Sequence, residues 1–172
     1  ATNANAVDVD GIWGEGTTVA LQQFLNQALG AGLEVDGLIG SQPASAQEEL
    51  AVFGSGWDWV SDSDASGSAT ITAMQNWLGV SADGLIGRQT LSALGSYEDP
   101  ELGREIDELN RELGELGRFV EGVGEDVQRK YEDIKNKLKE LYEEVIRKLQ
   151  RMLDKLSGKP DPEARKWFEE HR

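Results

Sequence analysis

Three copies of one short stretch decide how this chain reads: Asp10-Gly11-Ile12-Trp13-Gly14, Asp36-Gly37-Leu38-Ile39-Gly40 and Asp83-Gly84-Leu85-Ile86-Gly87. Seven residues after each Asp stands a residue suited to start a helix: Thr17, Pro43 or Thr90. Asp-Gly predicts a tight turn, because Gly takes positive φ at no steric cost and Asp accepts hydrogen bonds from nearby backbone N–H groups. The two apolar residues that follow predict an anchor in a core, and the second Gly leaves the chain free to enter a helix. A turn and a helix used repeatedly mark a repeat module rather than an enzyme built around one irregular cleft.

Working outward, residues 7–25 align with 60–78: Val7 with Val60, Gly14 with Gly67, Thr17 with Thr70, Ala20 with Ala73, Leu21 with Met74, Phe24 with Trp77 and Leu25 with Leu78. In both copies the apolar residues fall at helical spacing, so one face of each helix is expected to be buried. The second and third turns align at a shift six residues shorter, which predicts a longer connector at about 26–32 in the first copy. Short helices are expected after these turns, at about 43–53 and 89–94. Two units result, about 1–54 and 55–98.

These motifs resemble the peptidoglycan-binding domain of bacterial cell-wall hydrolases and phage endolysins. In that family an Asp-Gly-apolar-aromatic-Gly turn leads to Thr and an Ala-Val-x-x-Phe helix. Here Asp10 to Thr17 and Ala20-Leu21-Gln22-Gln23-Phe24 fit it, and Asp83-Gly84-Leu85-Ile86-Gly87-Arg88-Gln89-Thr90-Leu91-Ser92-Ala93-Leu94 fits its second half. The resemblance covers residues up to about 98. It implies an all-α fold and binding to peptidoglycan glycan or stem peptide outside the cell. Pro43 departs from the family's Thr, Ser63-Asp64-Ala65-Ser66-Gly67 is a degenerate turn, and the family's leading helix before Asp10 is expected to be absent or truncated. The first unit is therefore expected to lean on a neighbour for its core.

Charge divides the chain of 172 residues at the same place. Residues 1–98 hold twelve acidic side chains and one basic one, Arg88, whereas 99–172 hold twenty acidic and sixteen basic. That break predicts a natural module, cut from a larger protein, fused to a designed or borrowed helical segment. A net charge of −15 argues against nucleic acid, whose phosphates call for Lys and Arg. No apolar run is long enough to cross a membrane. The absence of cysteine removes disulfides, thiolate nucleophiles and Cys-ligated zinc.

In residues 99–172 apolar side chains run from Leu102 to Leu156 at a mean step of 3.6, the pitch of a straight helix. Asp99-Pro100 predicts an N-cap and first helical residue, and Gly122-Val123-Gly124 before Glu125-Asp126 predicts a stop and restart. Helices are expected at about 101–121, 125–157 and 162–171, packed as a bundle; one unbroken helix through Gly122 and Gly124 is the rival. Gly103, Gly114 and Gly117 would let another element approach closely. The whole is expected to be two small helical repeats followed by a long-helix bundle.

The candidate ligand-binding residues are Trp13, Trp57, Asp58, Trp59, Asp10, Asp36, Asp83 and Arg88. Trp57 and Trp59 lie outside both helix patterns and would share one side of an extended stretch, where indoles stack on sugars while carboxylates take hydroxyls. The competing reading puts them in the seam between the units, and makes the three turn carboxylates caps of their own backbone. Phe24 and Trp77 are expected in the core. Asp62-Ser63-Asp64-Ala65-Ser66-Gly67 opens like a calcium loop but has Ala73 where the twelfth-position Glu belongs. No cofactor or metal is expected. With His171 as the sole histidine and no pocket to separate pairs such as Glu48/Glu49 or Glu143/Glu144, no catalytic constellation is expected either. The function expected is wall binding without catalysis, the alternative being a structural, oligomerising or designed binding protein whose helical segment does the work.

Overall fold

The computed structural model describes residues 7–117 and 124–156. These form six helices and one two-stranded sheet: α1 (Glu15–Leu29), β1 (Ile39–Pro43), α2 (Ala44–Leu50), β2 (Trp57–Val60), α3 (Ala69–Leu78), α4 (Arg88–Glu98), α5 (Pro100–Gly117) and α6 (Glu125–Leu156). The fold is mainly helical. The all-α expectation is corrected in one respect: the stretch around Trp57 pairs in parallel with β1, Ile39 against Trp57 and Pro43 against Val60. Trp, Val and Ile suit a pleated, half-buried surface, and α2 makes the crossover that a parallel pair requires. The expected helix at 43–53 is accordingly shorter, and the one at 89–94 longer. The expected third helix at 162–171, with Trp167, Phe168 and His171, and the stop at 157–160 lie outside the described residues, as do Gly122 and Val123.

All three Asp-Gly turns form with a left-handed glycine: φ is 76° at Gly11, 74° at Gly37 and 77° at Gly84. Each Asp closes its turn as an Asx-turn, Oδ1 accepting from the N–H of Ile12, Leu38 or Leu85 at 2.9–3.0 Å. Of the two apolar residues in each turn, only the second is an anchor. Trp13, Ile39 and Ile86 are buried, whereas Ile12 and Leu38 are about half exposed.

What holds each turn in place is a buried glutamine on a helix. Gln22 Oε1 accepts from Asp36 N and Gly37 N, while its Nε2 faces Asp36 Oδ1, Leu38 O and Thr70 Oγ1 at 3.1–3.3 Å. Gln75 does the same for the third turn: Oε1 accepts from Gly84 N, and Nε2 faces Asp83 Oδ1, Leu85 O and Thr90 Oγ1. Gln150, on α6, treats the first turn identically, with Asp10 N and Gly11 N on its oxygen and Asp10 Oδ1, Ile12 O and Thr17 Oγ1 around its nitrogen. A primary amide has two N–H groups, so in each case two protons are shared among three acceptors. The middle turn takes its threonine from α3; in the helix that follows it directly, α2, Pro43 stands where the other two turns have Thr17 and Thr90.

The long helices are therefore built into the module. Asp99 caps α5 through its Oδ1 and Glu101 N (3.1 Å), with Pro100 at the first helical position as the sequence predicts. α6 folds back along α5, Asn110 Nδ2 donating to Tyr142 Oη at 3.1 Å, so the two form a hairpin and not one unbroken helix. Gly103 permits the close contact expected of it, because a Cβ there would collide with Ser96 of α4; at Gly114 and Gly117 a Cβ would meet nothing within 4 Å. The apolar stripe of α6 packs on α1, α4 and α5, and Ile134, Val145, Leu149 and Leu153 join one continuous core with Leu21, Leu25, Leu91 and Leu94. The change of composition at residue 98 is not matched by any break in packing.

Replacing Gln150 by Leu keeps the side chain's approximate bulk and removes its hydrogen bonds. Asp10 N, Gly11 N and Ile12 O then lose their partner in a site where Gln150 itself is 0 % exposed. Unpaired buried groups cost about 1–3 kcal/mol. Urea unfolding of Gln150→Leu should show a loss of about 3 kcal/mol; a loss under about 0.5 kcal/mol would mean that the first turn holds itself.

Candidate functional site

β2 presents the aromatic cluster that the sequence pointed to. Residues two apart in a strand face one way, so Trp57 and Trp59 stand on the same side, with Asp58 exposed on the other. Their rings are parallel, 8° between planes and 5.3 Å between centroids. Phe53 leans on both, at 4.4 and 4.9 Å. The innermost member is Trp13, which meets Trp57 edge-on at 5.1 Å and is fully buried, its Nε1 donating to Thr18 Oγ1. Trp13 is thus corrected from candidate ligand contact to core residue.

Trp57 is partly spent on structure as well. Its Nε1 donates to Trp13 O at 2.8 Å, so it clamps the strand onto the first turn. Among the described residues Trp59 has ring contacts with Phe53 and Trp57 only, which makes it the outer end of the ladder. Phe24 is in the core as expected, whereas Trp77 is partly buried and packs against it edge-on at 5.1 Å, with Tyr97 on Trp77 at 4.3 Å.

Asp10, Asp36 and Asp83 do what the competing reading assigned to them, accepting from their own turn's backbone and from a glutamine amide. The backbone N–H of Leu38, and then the amide of Gln22, hold the Asp36 carboxyl below the usual carboxylate range. Asp62, from the calcium-like segment, accepts from Ser45 N (3.1 Å) and so caps α2, whose own N-cap is Pro43. The Ser45 hydroxyl, and then the Ser45 backbone N–H, lower the Asp62 pKa too. Asp64 accepts from Ser61 Oγ at 2.7 Å.

Arg88 belongs to another surface. Its Nε lies 2.7 Å from Glu49 Oε1, beside a cleft bounded by α2, α5 and α6 to which none of these tryptophans contributes. Of the acidic pairs weighed for catalysis, Glu49 is held by Arg88, and Glu143 and Glu144 both face Arg147.

Sequence reading passed over the glutamines. The signal was there: Leu21-Gln22-Gln23-Phe24-Leu25, Met74-Gln75-Asn76-Trp77-Leu78 and Leu149-Gln150-Arg151-Met152-Leu153 repeat one pattern, the third copy inside the charged helical segment. Gln42 gave no such signal; it joins β1 to the third turn, accepting from Ile86 N (2.7 Å) and donating to Gly84 O (2.9 Å). Comparison with protein-family models, curated proteins and solved structures finds no match.

Two outcomes follow from this geometry. Trp57→Ala should cost about 3 kcal/mol or more in urea unfolding, because it opens a cavity beside Trp13 and Phe53; Trp13 O keeps its bond from Gly54 N at 2.9 Å. Trp59→Ala should cost clearly less and should abolish the exciton signature of stacked indoles in circular dichroism; equal losses for the two variants would overturn the inner and outer assignment. For Asp36 the folded pKa is depressed, so its stabilisation is present above the unfolded value of roughly pH 4 and is lost as pH falls through the folded value. Wild type should therefore lose stability relative to Asp36→Asn as pH drops below about 4. The paired comparison cancels the relief of the chain's general negative repulsion, and parallel pH profiles would refute the assignment.

Proposed function

We propose that the chain is a non-catalytic module that binds bacterial peptidoglycan, the natural counterpart of its first part acting outside the cell at the wall. The single observation that carries this reading is Trp59, partly buried at the outer end of a stacked ladder, with Asp58 its exposed neighbour in the strand. A flat indole backed by another indole is a preformed sugar platform, since little side-chain freedom is lost on binding. The resemblance of the Asp-Gly turns to peptidoglycan-binding domains supplies the wall as the ligand. The absence of cysteine, with one histidine at position 171, supports a role without catalysis.

The same reading gives the fold its finer description. The turn-and-helix units are repeats, and α6 supplies from the C-terminal side the helix that the resemblance leads one to expect before Asp10. The common hydrogen-bond set of Gln22, Gln75 and Gln150 supports that equivalence. In this account the helical segment completes the module. The alternative, an oligomerising segment, is less favoured because Ile134, Leu138, Val145, Leu149 and Met152 bury their stripe inside the same chain.

Co-sedimentation with purified sacculi at physiological salt tests the reading. Wild type should sediment at micromolar protein, and Trp59→Ala should bind roughly tenfold more weakly, as expected for a stacking residue worth about 1–2 kcal/mol. Wild type left in the supernatant would sink the proposal; undiminished sedimentation of Trp59→Ala would remove the ladder from it.

A further inference from the structure

Arg88, the one basic residue before position 99, marks a second feature. The cleft beside it, between α2 and the α5–α6 hairpin, has a volume of about 550 Å³. Ligand sites typically span about 300–1,000 Å³. Its floor is buried Leu138 and Tyr142, the latter fixed by the hydrogen bond from Asn110 Nδ2. Burial pushes the Tyr142 phenol up, so it stays neutral and can accept or donate.

The walls carry opposite charge. On one side α2 contributes Glu48 and Glu49; on the other α6 contributes Lys135 and Lys139, with Glu132 one turn before Lys135, so that wall keeps a net positive charge. Glu49 is held by Arg88. Among the described residues neither lysine has an ion-pair partner within 4.0 Å, and Lys135 Nζ lies 5.6 Å from the centre of the Tyr131 ring. On the third side α5 contributes Asn110 and Leu113 together with Gly114 and Gly117, and at the two glycines the backbone faces open space. A helix-interior glycine costs roughly 1 kcal/mol relative to alanine. Gly103 of the same helix has a packing reason for its presence in Ser96, whereas Gly114 has no neighbour to spare and leaves the floor reachable.

We propose that this cleft binds a short peptide carrying both a free amine and a free C-terminal carboxylate. The assignment rests on the wall-binding reading and gives it the stem peptide as a second ligand beside the glycan. The carboxylate pairs with Lys135 and Lys139, the amine with Glu48, and small aliphatic side chains lie over Leu138 and Tyr142 past the two glycines. Facing walls of opposite sign select a zwitterion. A polyphosphate would meet Glu48, Glu49 and Glu132 in the same cleft, on a chain of net charge −15.

Calorimetric titration of the full chain tests this with the peptide Ala-Glu-Lys-Ala-Ala, free at both ends, against the same peptide acetylated and amidated. The free peptide should bind at least tenfold more tightly than the blocked one. Lys135→Ala with Lys139→Ala, both exposed positions, should lose at least tenfold, and Gly114→Leu, which fills the cleft while raising helix propensity, should lose as much with its helical circular dichroism intact. Equal affinity for the two peptides, wild-type affinity in Gly114→Leu, or no heat from the free peptide would each overturn the proposal. Sacculus binding separates the two ideas. A chain that sediments with wall but ignores the peptide retains the wall reading and loses this site. A chain that binds the peptide but not the wall retains the cleft and loses the wall as its setting.

Discussion

The structure depends on buried primary amides whose hydrogen bonds are all supplied by an Asp-Gly turn and the helix next to it. A glutamine side chain with 0–1 % exposure is tolerable only if its oxygen and nitrogen are paired, because each unpaired group costs on the order of 1–3 kcal/mol. Gln22, Gln75 and Gln150 meet that condition in one way. Each reads the two N–H groups at the start of a turn or one of them, the carbonyl that ends it, and a buried threonine of the helix beyond. The amide thus fixes three pieces of backbone at once, and connector length is free to vary: Gln22 lies fourteen residues before its Asp, Gln75 eight before its own.

That arrangement makes the fold a closed circuit. α6 holds the first turn, which leads into α1; α1 holds the second, whose threonine sits on α3; α3 holds the third, which leads into α4. The circuit closes only because Gln150 reaches back across 133 to 140 residues of sequence. A contact so distant pays loop-closure entropy before it stabilises anything. The N-terminal turn therefore gains its order late, when α6 docks, and Val7 N meeting an Asp154 carboxylate at 3.2 Å extends the same junction outward.

How much of this was legible follows from which forces leave a local trace. The turns were legible because Asp-Gly chemistry is local, and the cap at Asp99 and the helix start at Glu125 for the same reason. Phe24 was legible through helical periodicity. The parallel pairing of β1 and β2 was not, since Gly, Ser, Gln and Pro in β1 carry no strand signature, and Trp57 alternating with Trp59 reads equally as an extended connector. The glutamines fell between these cases. A polar residue amid an apolar face looks like an interruption of the stripe until its partners are known, and Gln150 lay in a segment whose Lys/Glu composition announced a different origin. Composition reports the exposed faces; the shared core of Leu21, Leu94 and Leu149 lies on faces that composition does not separate.

The same economy decides what is left for a ligand. Of the residues singled out from sequence, the three turn aspartates are occupied by backbone and amide donors, Trp13 is buried, Trp57 spends its indole N–H on Trp13 O, and Arg88 is paired. A side chain already saturated by its own fold binds a ligand only by giving up those contacts, so it contributes little net free energy. Groups that the scaffold positions without consuming are few: Trp59 at the end of its ladder, and the lysines that face α2 across the cleft. Both sit on rigid elements, a strand clamped through Trp57 and a long helix pinned by Gln150, so neither surface must be ordered on binding. Groups free to bind are found where positioning and saturation come apart, and in this chain that separates an aromatic surface from a charged one.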